Sequence, residues 1–118
     1  MAADINDLRT KILEFRDARD WRQFHSLKNL VSALSVEASE LLELTQWKTA
    51  QELEGISKNT KLFSDLSKEI ADVLIYLLLI CEKLEIDPLQ AAEDKIRENE
   101  KKYPVETSRG SSKKYSEL

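Results

Sequence analysis

The sequence predicts an all-α fold of the four-helix-bundle type. The 118-residue chain contains only 2 glycines and 2 prolines, whereas 42% of its residues are hydrophobic, and this composition disfavours turn-rich β folds. Apolar residues recur at intervals of three and four along four segments, as in helices that bury one face. A chain of this length can enclose one core. We therefore expect one helical domain over residues 1–104 and a basic Ser/Lys-rich tail over residues 105–118.

The first half of the chain contains signals for two long helices. Asp4 or Asn6 can cap the first helix, because a short polar side chain can accept a hydrogen bond from a free backbone N–H. Residues 19–26 interrupt the apolar period and predict a structured loop. The second helix is then expected over residues 27–47.

The second half contains one short helix and two long ones. Thr49 opens a capping-box sequence, which predicts a short helix ending near Gly55. A long helix is expected from residue 59 or 60 to about residue 85. The Asp-Pro dipeptide at 87–88 combines an N-cap with a proline at the first helical position. It predicts a further helix that ends before the Tyr-Pro sequence at 103–104.

The helix predicted to end near residue 85 is more apolar than packing inside one chain requires. Residues 73–80 are apolar on every side, apart from the hydroxyl group of Tyr76. A helix that is hydrophobic all round in so small a protein indicates burial against a second copy. A central helix in a compact monomer is the alternative. We expect a homo-oligomer.

Two pairs of carboxylates are the main functional signal. Glu37 and Glu40 are three residues apart on the second helix, and Glu69 and Asp72 have the same spacing on the next long helix. Each pair therefore lies on one side of its helix. Glu37 and Glu69 occupy positions where the apolar period would place leucine, and a buried unpaired carboxylate is costly. A divalent metal ion would offset this cost.

The chemistry of such a site depends on its ligands. Oxygen ligands without histidine favour Mg²⁺ or Mn²⁺ over a di-iron centre. Such an ion can bind phosphate oxygens and activate a water molecule, with a spare carboxylate as general base. Hydrolysis of a phosphoanhydride is one interpretation. The other is a non-catalytic helical oligomerisation module, because Glu-x-x-Glu is common on solvated helix surfaces.

Composition also bears on partners and location. The net charge of −4 and the isoelectric point near 5.1 disfavour binding to a nucleic-acid polymer. No apolar run is long enough to cross a bilayer, and we expect no membrane partner. The N-terminus is acidic and has no signal-peptide pattern, so a cytoplasmic location is expected. The single cysteine, Cys81, excludes an internal disulfide and is expected to pack in the core.

The acid pairs occur with the sequence Arg-Asp-Trp-Arg-Gln-Phe-His at residues 19–25 and with Gln-Trp at residues 46–47. They also occur with Ser-Ser-Lys-Lys-Tyr at residues 111–115. Together, these motifs resemble the MazG-like family of all-α nucleoside triphosphate pyrophosphohydrolases, and among them most closely the dCTP pyrophosphatases. The resemblance covers nearly the whole chain.

The resemblance implies Mg²⁺-dependent hydrolysis of a (deoxy)nucleoside triphosphate to the monophosphate and pyrophosphate. The expected substrates are dCTP and 5-modified dCTP, in a role that cleans the nucleotide pool. A broader NTP or dUTP pyrophosphohydrolase is the alternative. The implied metal ligands are Glu37, Glu40, Glu69 and Asp72. The implied substrate-binding residues are His25, Trp47, Tyr76, Lys95, Asn99 and Tyr103.

Overall fold

The computed structural model describes residues 4–118, and every regular element within them is helical. The helices are α1 (Ile5–Ala18), α2 (Leu27–Glu43), α3 (Ala50–Glu54), α4 (Lys61–Leu84), α5 (Pro88–Lys102) and α6 (Val105–Ser108). Two 3-10 turns cover Arg22–Phe24 and Tyr115–Glu117. The all-α class predicted from the sequence is confirmed.

The helix starts are set by local capping side chains. Asp4, Ser26, Thr49, Thr60 and Asp87 each accept a hydrogen bond from a backbone N–H group two or three residues further along the chain. These bonds satisfy donors that a helix leaves unpaired in its first turn. The predicted caps of the first, short and last long helices are therefore confirmed, and Ser26 caps α2.

The predicted end of the second helix is wrong. We expected it at Trp47, whereas α2 ends at Glu43. The backbone N–H groups of Thr45 and Gln46 both donate to the carbonyl of Leu42, at 3.0 and 2.9 Å, and the Thr45 hydroxyl donates to it at 3.1 Å. Threonine side chains compete for backbone groups in this way, so the regular helix gives way to turns.

The described chain forms two compact units. The first ends at Leu84, and within it α4 packs along α2 and against α1. On one side of this packing, Arg9 Nε of α1 donates to the Glu82 carboxylate of α4 at 2.8 Å. The buried core of the unit is small and consists of Ile12, Leu30, Leu78 and Leu79.

The second unit comprises Glu85–Leu118. The rings of Tyr103 and Tyr115 meet edge to face with their centres 6.2 Å apart, and the Lys102 ammonium group lies 5.1 Å from the centre of the Tyr115 ring. These contacts fold the C-terminal segment back onto the end of α5. The segment predicted as a tail thus contains one helical turn and one 3-10 turn. The domain boundary expected at residue 104 stays a prediction.

The long helix α4 exposes apolar side chains in the single chain. Ile70, Leu74 and Leu77, at intervals of four and three, are 57%, 40% and 42% exposed. Cys81 is a free, half-buried thiol on the same helix. Among residues 4–118, none of the helices has the length and hydrophobicity that crossing a membrane requires.

Candidate active site

Carboxylates of α2 and α4 meet between the two helices. One carboxylate oxygen from each of Glu37, Glu40 and Glu69 lies within 4.8 Å of the others, and all three side chains are half-buried. The i,i+3 spacing places Glu37 and Glu40 on the side of α2 that faces Glu69. Packing of α2 along α4 therefore concentrates negative charge that a purely structural bundle would avoid.

The cluster changes the ionisation of its central member. The pKa of Glu37 is raised to about 7, first by its closeness to the Glu69 carboxyl group, with which it can share a proton. Burial and the carboxyl group of Glu40 also raise it. The raised pKa follows from like charges held together in a partly dehydrated space. Without a cation, this arrangement favours a proton on the cluster at neutral pH.

The cluster fits a hard divalent cation. Oε2 of Glu37 and Oε2 of Glu69 are buried and accept no hydrogen bond. Orphaned, charged oxygens are costly, and a cation bound between them would remove both the repulsion and the need for a proton. Carboxylate oxygens without nitrogen or sulfur donors are the ligands preferred by Mg²⁺ and Mn²⁺. Glu37, Glu40 and Glu69 would hold the ion.

Asp72 lies apart from this three-carboxylate cluster. It is one helical turn beyond Glu69 on α4, is half-buried, and lines a neighbouring cavity. The structure thus brings three of the four predicted metal ligands together and places the fourth at the wall of the cavity. The assignment of Asp72 as a metal ligand stays a prediction.

The neighbouring cavity has a volume of about 390 Å³, within the usual range for small-molecule sites. It lies entirely within the first unit. It is lined by Lys11, Ile12, Phe15, Arg16, Trp21, His25, Asp72, Ile75, Tyr76 and Leu79. Of the substrate-binding residues expected from the sequence, His25 and Tyr76 are in this lining.

The end of α1 forms one wall of the cavity through a Schellman motif. Asp20 adopts a left-handed conformation with φ of 53°, which aspartate tolerates better than most residues do. The N–H of Trp21 donates to the carbonyl of Arg16, and that of Asp20 to the carbonyl of Asp17, both at 3.1 Å. The chain therefore turns back sharply, and the Trp21 ring meets the Phe15 ring edge-on at 5.7 Å.

The loop after Trp21 holds His25 in the lining. Gln23 Nε2 donates to both the carbonyl and the carboxylate of Asp20 at 3.0 Å. Asn29 Nδ2 donates to the carbonyl of Phe24 at 3.0 Å, immediately before His25. With Ser26 as the cap of α2, these bonds fix both ends of the short loop, so the imidazole position is set by local structure.

The His25 imidazole is neutral at neutral pH. Burial lowers its pKa below the usual 6.5, and the positive charge of Arg16 lowers it further. Nδ1 of His25 is buried and has no hydrogen-bond partner. A neutral imidazole has one acceptor nitrogen. The wall of the cavity therefore contains a buried nitrogen atom whose bonding capacity is unused.

The other expected substrate-binding residues lie outside this cavity. Trp47 is 88% exposed and follows the end of α2. Lys95 and Asn99 are on α5 of the second unit, where the Lys95 ammonium group lies 3.3 Å from the Glu98 carboxylate. Tyr103 caps α5 and packs on Tyr115. Substrate contacts by these four residues stay predictions.

Sequence reasoning missed Lys11 and Arg16 as cavity residues. Both are on α1, and the apolar period of that helix gives no sign that charged residues beside it line a site. From the sequence, Trp21 is recognisable as an aromatic residue that borders the acidic helices and could stack on a base. Its sequence neighbours give no indication of the turn that brings it back against Phe15.

Comparison with known proteins places these features in a family. Residues 32–118 match the model of the MazG-like family. Mouse dCTP pyrophosphatase 1 is 41% identical over 114 residues, covering 97% of this chain and 67% of the mouse protein. Human dCTP pyrophosphatase 1 is 40% identical over 114 residues, covering 97% and 67% of the two chains.

A solved structure shares the fold. The crystal structure of a pyrophosphatase from Archaeoglobus fulgidus DSM 4304 superimposes with a TM-score of 0.77 at 41% sequence identity. The match covers 85% of this chain and 92% of the archaeal chain. At this identity, the similarity extends to the sequence as well as the fold.

The raised pKa of Glu37 predicts a pH-dependent stability of the metal-free protein. Between about pH 4.5, the ordinary pKa, and about pH 7, the folded state holds a proton that the unfolded state has released. The free energy of unfolding should therefore fall as the pH rises through this window. Glu37→Gln should flatten that fall, because the amide does not titrate. Urea unfolding from pH 4.5 to 8 in EDTA measures the difference.

In the wild-type protein, added Mg²⁺ should counteract the loss of stability that occurs as the pH rises. Metal and proton compete for the same oxygens, so the rise in melting temperature caused by Mg²⁺ should be larger at pH 8 than at pH 5.5. Glu43→Gln changes an exposed carboxylate on the same helix and is the matched control. Identical pH profiles for wild type and Glu37→Gln would contradict the assigned ionisation.

Proposed function

The chain belongs to the MazG-like family, and we propose that it hydrolyses dCTP and 5-modified dCTP to the monophosphate and pyrophosphate, with Mg²⁺ as cofactor. Relatives named dCTP pyrophosphatase 1 and a structural relative named pyrophosphatase support nucleoside triphosphate pyrophosphohydrolase as its enzyme class. The observation that carries the proposal is a three-carboxylate cluster beside a nucleoside-sized cavity, with Asp72 on the same helix as Glu69 lining that cavity.

The proposed reaction breaks the bond between the α- and β-phosphates by addition of one water molecule. A bound Mg²⁺, or Mn²⁺ in its place, supplies neutralising charge to the phosphate oxygens and makes water more acidic. In this proposal, the metal ion would be bound by Glu37, Glu40 and Glu69, at the part of the site that takes the phosphates. One of the site carboxylates accepts the proton of the attacking water, and the pyrophosphate leaves as the departing group.

The cavity suits the nucleoside end of the substrate. Phe15, Trp21 and Tyr76 provide aromatic faces, whereas His25 and Arg16 provide polar contacts. A mostly apolar cavity with few converging polar groups is typical of small-molecule sites. Asp72 lines the cavity one helical turn from Glu69. Helix α4 therefore borders both the cavity proposed for the nucleoside and the carboxylate cluster proposed for the phosphates.

A broader NTP or dUTP pyrophosphohydrolase is the second candidate. Aromatic faces stack on any base, so stacking on Trp21 alone favours no particular base. Under either candidate, we propose a role in nucleotide-pool sanitation in the cytoplasm. A nucleotide is the proposed partner, and the net charge of −4 disfavours binding to a nucleic-acid polymer.

We also propose that the protein functions as a homo-oligomer, a dimer or a tetramer, built on α4. Only four side chains are buried in the described single chain, whereas Ile70, Leu74 and Leu77 leave an apolar strip on α4 exposed. A second copy of the strip would remove these groups from water, which stabilises the assembly by about 25 cal/mol per Å² of apolar surface.

Sedimentation equilibrium tests the assembly. We expect a dimer or tetramer for the wild type and a shift towards monomer for Leu74→Glu, because the charge would be buried in the interface. Leu89→Glu, which changes an exposed apolar residue on α5, is the control. A monomeric wild type would contradict the assembly without touching the assigned reaction.

Pyrophosphate release from a panel of nucleotides tests the reaction and its substrate. We expect release from dCTP and 5-methyl-dCTP in Mg²⁺ and none in EDTA, because the carboxylates alone cannot neutralise the phosphates. Release with dUTP and all NTPs at similar kcat/KM would favour the broader enzyme. No release from any nucleotide in Mg²⁺ or Mn²⁺ would support the non-catalytic oligomerisation module.

Two substitutions test the assigned ligands. Glu40→Gln and Asp72→Asn should each lower kcat by at least about 100-fold, since each removes a charge that acts on the reacting phosphates. Helicity should stay unchanged because both side chains are only half-buried. Glu43→Gln, an exposed neighbour on α2, should keep wild-type kcat. Full activity in both ligand variants would overturn the metal-site assignment.

A further inference from the structure

We propose that Arg19 is a positioning residue that holds the aromatic wall of the cavity in place and so keeps the cavity open. The wall consists of the Phe15 and Trp21 rings, which are in the cavity lining, whereas Arg19 is outside that lining. The proposal rests on the proposed function, which assigns the nucleoside to this cavity. It adds a residue that acts on the substrate only through its neighbours.

The position of Arg19 follows from the end of α1. The helix ends at Ala18, and Arg19 is its C-cap, four residues after Phe15. Helical side chains point back towards the N-terminus, so a long side chain at this position can lie over the residue one turn earlier. Nη1 of Arg19 donates to the carbonyl of Phe15 at 3.0 Å. The central carbon of the guanidinium lies 3.6 Å from the centre of the Phe15 ring.

The same guanidinium lies close to the second ring of the wall. Its central carbon is 6.0 Å from the centre of the Trp21 ring, and the Trp21 ring meets the Phe15 ring edge-on. None of the ion pairs within residues 4–118 involves Arg19. A cation is attracted to the electron-rich face of an aromatic ring, and at exposed positions this attraction changes an equilibrium by about two- to fivefold.

Packing within the single chain leaves both rings of the wall half-exposed. Phe15 is 52% exposed and Trp21 is 44% exposed, although both line a cavity of about 390 Å³. When the cavity holds no substrate, rings that turn further into it remove apolar surface from water, which is favourable. The Arg19 guanidinium opposes this movement, because a cation that followed Phe15 into an apolar space would lose its hydration.

An open cavity strengthens nucleotide binding. If the rings fill the cavity in some molecules, the apparent affinity falls in proportion to the fraction that is open. Arg19→Met keeps a long side chain but removes the charge. We expect it to raise KM for dCTP, and Kd for the hydrolysis-resistant α,β-imido-dCTP, by about two- to fivefold. The value of kcat should stay unchanged, because the phosphate contacts are the same. Steady-state kinetics and titration calorimetry measure these constants.

The movement of Trp21 can be measured without a nucleotide. In a Trp47→Phe background Trp21 is the remaining tryptophan, and quenching of its fluorescence by acrylamide reports its exposure. Arg19→Met should lower the quenching constant, because the ring turns into the cavity. Arg19→Lys retains a cation and should stay closer to the parent protein. Equal quenching constants in the parent and in Arg19→Met would overturn the proposal.

A matched variant controls for the loss of charge. Arg22→Met removes a positive charge from an exposed arginine three residues away, outside the cavity lining. It should keep the parent values of Kd, KM and the quenching constant. If Arg22→Met changed all three as much as Arg19→Met does, the effect would come from net charge and the proposal would be overturned.

A double-mutant cycle distinguishes positioning from a general structural role. In a Phe15→Leu background, Arg19→Met should have no further effect on Kd, because the guanidinium acts through the Phe15 ring. Urea unfolding should show that Arg19→Met is at least as stable as the wild type, since rings that turn inwards bury more apolar surface. A less stable Arg19→Met, with the same rise in Kd in both backgrounds, would indicate a structural role and overturn the proposal.

The positioning role and the proposed reaction can fail independently. Weaker binding of α,β-imido-dCTP by Arg19→Met, with no hydrolysis of dCTP by the wild type, would support the positioning role and contradict the reaction. Pyrophosphate release by the wild type, with equal Kd and equal quenching in Arg19→Met, would overturn the positioning role and leave the reaction standing.

Discussion

The mutual repulsion of carboxylates between α2 and α4 is the constraint on which the rest of this protein depends. Glu37 and Glu69 take positions in the apolar stripes where leucine would stabilise the bundle, and Glu40 adds a third charge beside them. Among residues 4–118 of the single chain, the buried core consists of Ile12, Leu30, Leu78 and Leu79, so little hydrophobic stabilisation is available to offset that repulsion. A proton on Glu37 or a divalent cation resolves it, and the two compete.

Helix α4 contributes side chains to both the carboxylate cluster and the cavity. Glu69, Asp72 and Tyr76 succeed one another on α4 at intervals of three and four, so they lie along one side of it. Glu69 belongs to the cluster, whereas Asp72 and Tyr76 line the cavity. Over two helical turns, the side chains of α4 change from the carboxylate cluster to the lining of a largely apolar cavity. A substrate with a charged triphosphate at one end and a flat base at the other matches this arrangement.

Local signals in the sequence accounted for most of the helix starts. Asp4, Thr49 and Asp87 act as caps because a hydrogen bond to a residue two or three positions away needs no tertiary context. The end of α2 was not predictable in the same way. Neither Thr45 nor Gln46 is a glycine or a proline, the residues that commonly mark the end of a helix. The turn depends instead on three hydrogen bonds that Thr45 and Gln46 donate to the carbonyl of Leu42.

By itself, the sequence determined the helical class, the capping residues and the placement of Glu37 and Glu69 in apolar stripes, because helical periodicity is a property of spacing alone. Only the tertiary structure decided that Glu40 joins the cluster while Asp72 borders the cavity, and that Arg16 and His25 line the same cavity. Those outcomes depend on how α2 and α4 are rotated against each other and on the reversal of the chain at Asp20. Neither is contained in the period of a single helix.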